Sequence, residues 1–527
     1  MPQASTSISQ SRRDVLRVLC ASAAGAWVSP ALVGCTDNTT PDPQRSSAPR
    51  RGGTLRAGVA GGSAKDTVDA HRPLTHPDQA RVIQLYDTLT GYDTDFRVQS
   101  ALAESVESSA DARQWTIRLR PGLEFHNGKP VTSEDVAFTI RRIVEPSDPK
   151  SGATSLSAVD TKAIKILDKR TIRLDLKTPE SELESVFANY ALGVVPVGYD
   201  ARNPVGTGPF KFSSFTPGRE STFTRNDNYW RTGEPYLDKV VIVDFPEDTA
   251  RVNALQSGQV DAIDQVSVGQ LSAIQGNADL RLLESETGSW IPFVMRVDKP
   301  PFNDDRVREA FRLIVDREEM VRQVLGGHGA IGNDLYGRFD PAYDTSIPQR
   351  RQDIEQAKRL LQQSGHENLE VELVTSPVAS GLVESAQVFA AQARRAGVSV
   401  RIRKVDSAEF FGPNYLKWTF TQDFWYTRGY LGQANLCSIP EAPFNETHWS
   451  DPQFTQLVLE ARSTIDDKRR TELIREAQRI EHERGGYIVW SFPNQIDAYT
   501  RRISGFKPDR SGLPLTSYGF RQIWFNS

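Results

Sequence analysis

The stretch from Asn203 to Asp264 constrains this chain more than any other. It opens Asn203-Pro204-Val205-Gly206-Thr207-Gly208-Pro209-Phe210, where two glycines and two prolines set a rigid turn feeding a strand. Val240 to Phe245 is a β-rich apolar run. Thr249 is placed to cap a helix with Val252 and Leu255 on one face, and Gly258 to end it. Turn, strand, turn, strand and helix make a mixed α/β unit, which implies no function by itself.

Composition narrows the class. The chain has 527 residues, 38% hydrophobic and 25% charged, which is globular material sufficient for two or three domains. A net charge of −4 gives no bias toward nucleic acid, and three Cys exclude a disulfide framework or a Cys-based zinc site. None of the seven His lie at His-x-x-x-His spacing, and no Gly-x-Ser-x-Gly occurs. Gly122 to Lys129 is one residue too long for a phosphate loop, with Pro130 in the Ser/Thr place. Pro209-Phe210 follows Gly206-Thr207-Gly208 where a dinucleotide-binding helix would have to open. No catalytic constellation is legible.

The words of the central stretch say more than their periodicity. Val205-Gly206-Thr207-Gly208-Pro209-Phe210, Asn226-x-x-Tyr229-Trp230, Leu237-Asp238-Lys239-Val240 and Ala254-Leu255-Gln256-Ser257-Gly258-x-Val260-Asp261 resemble, in this order, the family 5 solute-binding proteins of ABC importers. These are the dipeptide- and oligopeptide-binding relatives, and the resemblance runs from Gly52 to Phe506. It implies an α/β, two-lobed periplasmic-binding-protein-like fold (type II, or cluster C-like) with an extra domain and a ligand cleft between lobes. It implies domain I from 52–85, 200–290 and 492–527, domain II from 86–199, and domain III from 291–491. It also implies capture of a peptide or peptide-like solute and delivery to ABC permease and ATPase subunits. No enzyme activity, cofactor, metal or nucleic-acid partner is expected, and the protein is expected to be a monomer. A non-peptide or anionic solute, a sensory lipoprotein and an exported hydrolase are the alternatives.

The rest of the chain reads as alternating elements. Gly53 to Val59 is a strand; Arg81 to Thr90 looks helical. Trp115, Ile117 and Leu119 alternate with polar residues in a half-buried strand closed by Pro121-Gly122. Thr132 with Asp135 is a capping-box start, and Asp304 caps a stripe of Val307, Ala310, Phe311 and Ile314. Helices are expected from Ile354 to a stop at Gly365, over Gln387–Ala396, Phe454–Ser463 and Arg469–His482, with strands at Glu370–Val374, Val398–Val405 and Tyr487–Trp490.

The first residues are a targeting segment. Ser11-Arg12-Arg13-Asp14-Val15-Leu16-Arg17 matches the twin-arginine export pattern. The apolar run from Val18 to Val33, interrupted by Gly25 and Pro30, is short for a membrane span. Leu32-Val33-Gly34-Cys35 resembles a lipobox, so 1–35 reads as a lipoprotein signal with lipidation at Cys35, and 36–51 as a disordered linker. The expected location is the outer face of a cytoplasmic membrane. Cys437 is then the remaining free thiol.

A candidate ligand stretch carries Trp418, Phe420, Phe424, Trp425, Tyr426 and Tyr430, with Arg428 among them. Peptide-binding relatives read Trp-x-x-Asp here, the Asp pairing with a peptide's α-amino group. Arg428, or with a one-residue slip Gly429, falls in the acid's place, so the acid is missing from this stretch. Trp425, Tyr426, Arg428 and Tyr430 are the expected ligand contacts. Two orientations stay open for Arg428. It faces the cleft, rejecting an ammonium and accepting an anion, or it turns away to pair with Asp423.

Overall fold

The computed structural model describes residues 48–526. Arg12, Arg13, Cys35 and most of the 36–51 linker lie outside the described residues.

A seven-stranded mixed sheet runs in the order 280–285, 495–500, 262–263, 54–60, 239–245, 220–225, 210–216. Thr54–Ala60 lies inside it, parallel to both Lys239–Phe245 and Ala262–Ile263. Leu55, Ala57 and Val59 are fully buried, as a strand covered by helices requires. A second sheet, all antiparallel, has the order 103–108, 114–119, 171–175, 165–166. In it Trp115, Ile117 and Leu119 turn inward as their alternation predicts. A third region holds a three-stranded sheet (420–422, 293–295, 487–488) and a parallel pair (370–375 with 399–404) under helices 305–314, 382–395 and 467–484. Each region has its own apolar core. The chain leaves the seven-stranded sheet after the helix His76–Leu85 and again after the strand Leu280–Ser285, returning each time.

Local signals fixed several boundaries. The Thr132/Asp135 capping box starts Ser133–Ile143, and the Asp304 side chain accepts from Arg306 N–H to start Asp305–Ile314. Gly365, in the left-handed region, follows Ile354–Gln363. Other boundaries moved. The helix expected over Arg81–Thr90 is His76–Leu85, because Thr75 and Asp78 form a capping box upstream. Its last carbonyl, on Leu85, accepts from Gly208 N–H, and Tyr86 turns extended. The helix expected to be capped by Thr249 begins at Asp248 behind Glu247, so Thr249 lies within its first turn. The helix expected at Gln387 starts earlier, at Leu382.

The glycines of the central turn serve close approach. A Cβ on Gly206 would lie 2.0 Å from the Leu85 carbonyl oxygen, and one on Gly208 would lie 2.4 Å from that of Gln84. His126 locks the same turn: its Nε2 is 3.0 Å from the Gly208 oxygen and its Nδ1 3.3 Å from the Gly206 nitrogen. Burial holds this imidazole neutral, its pKa down at about 4.

Candidate functional site

A cavity of about 340 Å³ opens where these regions meet. Its walls come from the hairpin 90–100, the segment 180–190, the segment 426–436, the C-terminal segment 511–521, and Arg231. Among the described residues no helix is long and apolar enough to cross a membrane, and no cluster of three or more His, Cys, Asp or Glu could hold a metal ion.

The Asn-x-x-Tyr-Trp phrase builds one end. Tyr229 Oη donates to one oxygen of the cavity residue Asp87 at 2.9 Å, and Trp230 Nε1 to the other at 3.0 Å. Burial raises the Asp87 carboxyl's pKa against these two bonds. Arg231 lies over the Trp230 ring at 4.2 Å, and Arg521 Nε sits 3.0 Å from Glu234. Turn and strand words that carried only family resemblance therefore fix charged groups at the cavity.

The 180–190 segment is tied to the region across the cavity. Glu180 accepts from Arg462 Nη2 at 2.9 Å and Nε at 3.2 Å, with side chains 13% and 11% exposed. Arg462 Nη1 also donates to Asn435, and Ser181 Oγ to the Ala461 carbonyl. On another side, the Arg510 N–H donates to the Thr94 carbonyl, its guanidinium meets Asp95 at 3.3 Å, and its carbonyl accepts from Thr427 Oγ1. These bonds close the cavity from two sides. Beyond Arg510, Leu515 to Tyr518 form a left-handed turn without a glycine. Such a turn persists only where surroundings enforce it. Here buried Asp497 accepts from Leu515 N–H at 2.6 Å, and Tyr518 Oη donates to Asp264 at 2.9 Å.

The expected ligand residues separate into two pairs. Tyr426 and Arg428 line the cavity. Trp425 is 9% exposed and stacks on Trp290, whose backbone it also pairs with. Tyr430 is fully buried, stacks on Tyr336, and donates its hydroxyl to Glu481 at 2.6 Å. Trp425 and Tyr430 therefore form the packed floor behind the wall. The Asp423 carboxylate is engaged elsewhere, accepting from Tyr415 Oη and from its own neighbour Phe424 N–H. Cys437 is buried in the same packing, where burial pushes its thiol pKa up.

Arg428 keeps part of its surface open to the cavity, yet protein surrounds it closely enough that burial pulls its pKa below the ordinary value. Its head lies 5.7 Å from the Trp425 ring, and among the described residues nothing hydrogen-bonds to it or forms an ion pair with it. The groups that most offset this are Tyr190, Cys437, Tyr426 and Tyr92, all of them neutral acids with raised pKa values.

Two carboxylates from elsewhere in the chain reach Gly429. A Cβ on Gly429 would stand 3.2 Å from Asp340 Oδ2 and 3.8 Å from Glu182 Oε2. Asp340 accepts from the backbone N–H groups of Tyr430 and Ala342. Glu182 lines the cavity, and among the described residues no hydrogen-bond donor reaches its carboxylate. Burial, then Asp340 and Glu180, push its pKa up to about 8. Glu182, like Asp87, Tyr92 and Tyr190, sits outside any chemical motif, so no pattern in the sequence marks it.

A two-lobed α/β chain closing a solute-sized cavity between separately packed regions is a solute-binding protein. The family model for bacterial extracellular solute-binding proteins, family 5, middle part, matches residues 97–434. The chain belongs to that family. It is 26% identical over 478 residues to di/tripeptide-binding protein 2 of Pseudomonas aeruginosa (strain UCBPP-PA14), across 83% of this chain and 89% of that protein. Heme-binding protein A of Haemophilus influenzae is 26% identical over 474 residues, across 80% and 84%. Among solved structures, AgaA of A. tumefaciens R10 in complex with agropinic acid superposes with a TM-score of 0.76 at 26% identity, covering 90% of this chain and 99% of that one. DppA of Helicobacter pylori in complex with the peptide STSA gives 0.77 at 22% identity, covering 91% and 99%, and shares the fold.

Proposed function

We propose that this protein is the extracytoplasmic solute-capturing subunit of an ABC importer, binding a peptide or peptide-like solute and passing it to a permease. The observation that carries this is the cavity bridged across by Glu180–Arg462 on one side and Arg510–Asp95 on the other. Such a cavity admits its ligand only if those bridges open, so the expected cycle is hinge opening, capture and closure. A domain division at 86, 200, 291 and 492 is part of this proposal, supported by the two excursions of the chain from the seven-stranded sheet. Relatives are named for di- and tripeptides and for heme, and AgaA for agropinic acid, so family membership leaves the ligand open. No catalytic role is proposed.

A ligand stabilises the closed form only by its differential affinity for it. A bound solute should therefore shrink the radius of gyration in small-angle scattering and raise the melting temperature. Arg462→Ala should leave the protein folded but weaken capture about tenfold or more, since Glu180 would be closed in without its partner. A solute that binds with an unchanged scattering profile sinks the clamp.

We further propose twin-arginine export and lipid anchoring, supported by Arg12-Arg13 and by Leu32 to Cys35. Lysine at both positions 12 and 13 should abolish export, and Cys35→Ala should release the protein from the membrane fraction. Fractionation and immunoblotting of both variants decide each claim separately.

A further inference from the structure

We propose that the cavity takes a dipolar solute, Arg428 pairing with its carboxylate and Glu182 with its cationic group. The inference rests on the capture role above and specifies its substrate.

A guanidinium and a carboxyl group stand in one cavity, and among the described residues neither has a hydrogen-bond partner. Arg428 presents a guanidinium, ionised at any physiological pH, among neutral phenols and a thiol. Leaving a charge enclosed and unpaired is costly, so the wall is completed by an anion. The fork of the guanidinium suits a carboxylate's two oxygens.

The second pole is independent of the first. Three carboxylates gather there, Glu180, Glu182 and Asp340, facing the guanidinium groups of Arg462 and Arg470. Arg462 is committed to Glu180. Arg470 approaches Glu182 only to 4.0 Å while it also pairs with Asp467 and donates to the carbonyls of Thr464 and Ile465. The pole is one cation short, and Glu182, without a donor, is where that cation fits. Its raised pKa has the same origin: burial and the neighbouring carboxylates Asp340 and Glu180 favour its protonated form, and a ligand's ammonium can take that proton's place. A metal ion fits poorly, because among the described residues no group of three or more His, Cys, Asp or Glu, these three carboxylates included, is arranged to hold one. Tyr92 lies within electrostatic reach of Arg428, Glu182 and Asp340 alike, so both poles border one space. The stretch around Trp425 therefore offers a ligand a positive group, and the negative one comes from across the cavity.

The test uses the full chain and a panel of Ala-Xaa dipeptides, each also N-acetylated and as its C-terminal amide, by calorimetry at pH 7.5. Acetylation and amidation should each weaken binding about thirtyfold, the scale of one charge-assisted contact. Arg428→Gln should erase the penalty for amidation and keep that for acetylation; Glu182→Gln should do the reverse. Each variant should also melt higher than the parent without ligand, because an enclosed unpaired group has been removed, whereas a structural ion pair would leave it less stable. Equal binding of a dipeptide and its blocked forms overturns the proposal, and so does binding by no member of the panel. Native mass spectrometry that finds a co-purified solute lacking either charge overturns it too, yet leaves the capture role standing. A bound solute without compaction fails the capture role instead.

Discussion

Replacing Arg81 by leucine should lower stability by about 3–5 kcal/mol, the scale for stripping the partner from a buried charge cluster. Arg81 has no exposed surface, and its guanidinium meets Asp66 at 3.1 Å, Asp78 at 3.0 Å and Asp244 at 2.5 and 2.6 Å. It also donates to Ser221 and lies against the Phe215 ring. This cluster pins the helix His76–Leu85, and with it the cavity residues that follow, to the strand Lys239–Phe245. Even with Arg81 in place, burial holds the Asp244 pKa at about 6 and raises that of Asp78. Without the arginine these carboxyls must take up protons to remain buried. The deficit of Arg81→Leu should therefore shrink as pH falls from 7.5 through about 6, a dependence that loss of packing alone would not produce. Urea unfolding at pH 7.5 and pH 5 measures both. A deficit under 1 kcal/mol, or one independent of pH, contradicts the account.

The parent protein should lose stability as pH rises from 6.5 to 8.5. Burial is the first cause of the raised carboxyl pKa values at Glu182 (about 8), Glu481 (about 7) and Asp497 (about 7). In the unfolded chain such groups titrate near 4, so between about 4 and their folded values the native state binds more protons than the unfolded one. Stability then falls with rising pH across that window and levels off above it. His71, His76, His126 and His482 act oppositely, burial lowering each to about 4. Their contribution is complete above about 6.5 and is lost as pH falls toward 4. Above 6.5 these carboxyls act without opposition from the four histidines. The expected loss is on the order of 2–4 kcal/mol, with Glu182→Gln removing part of the slope. Melting temperatures that climb from pH 6.5 to 8.5 would refute it.

The fold was legible wherever short-range physics decides. The Thr132/Asp135 box, the Asp304 cap and the alternation of Trp115, Ile117 and Leu119 place their elements because caps and pleats depend on neighbours within a few residues. Where a competing local signal lay just upstream, as at Thr75 and Asp78, the boundary shifted with it. The central turn was visible as a word, but the reason for its glycines was not. They give way to the carbonyls of Gln84 and Leu85, far off in sequence.

The cavity was legible only in its aromatic stretch, and there only by residue type. Trp425, Tyr426, Arg428 and Tyr430 look equivalent in the chain. Packing sends Tyr430 to Glu481 and Trp425 to Trp290, and leaves Tyr426 and Arg428 on the wall. Sequence alone therefore determined the family, the α/β architecture and the presence of an arginine within the aromatic stretch. Tertiary structure decided that this arginine stands unpaired among the described residues and that Glu182 and Asp340 bring carboxylates to the adjacent glycine. The physical reason is that a charge is unpaired only with respect to every other charge in the folded molecule, and those neighbours come from segments some 90 and 250 residues apart in the chain.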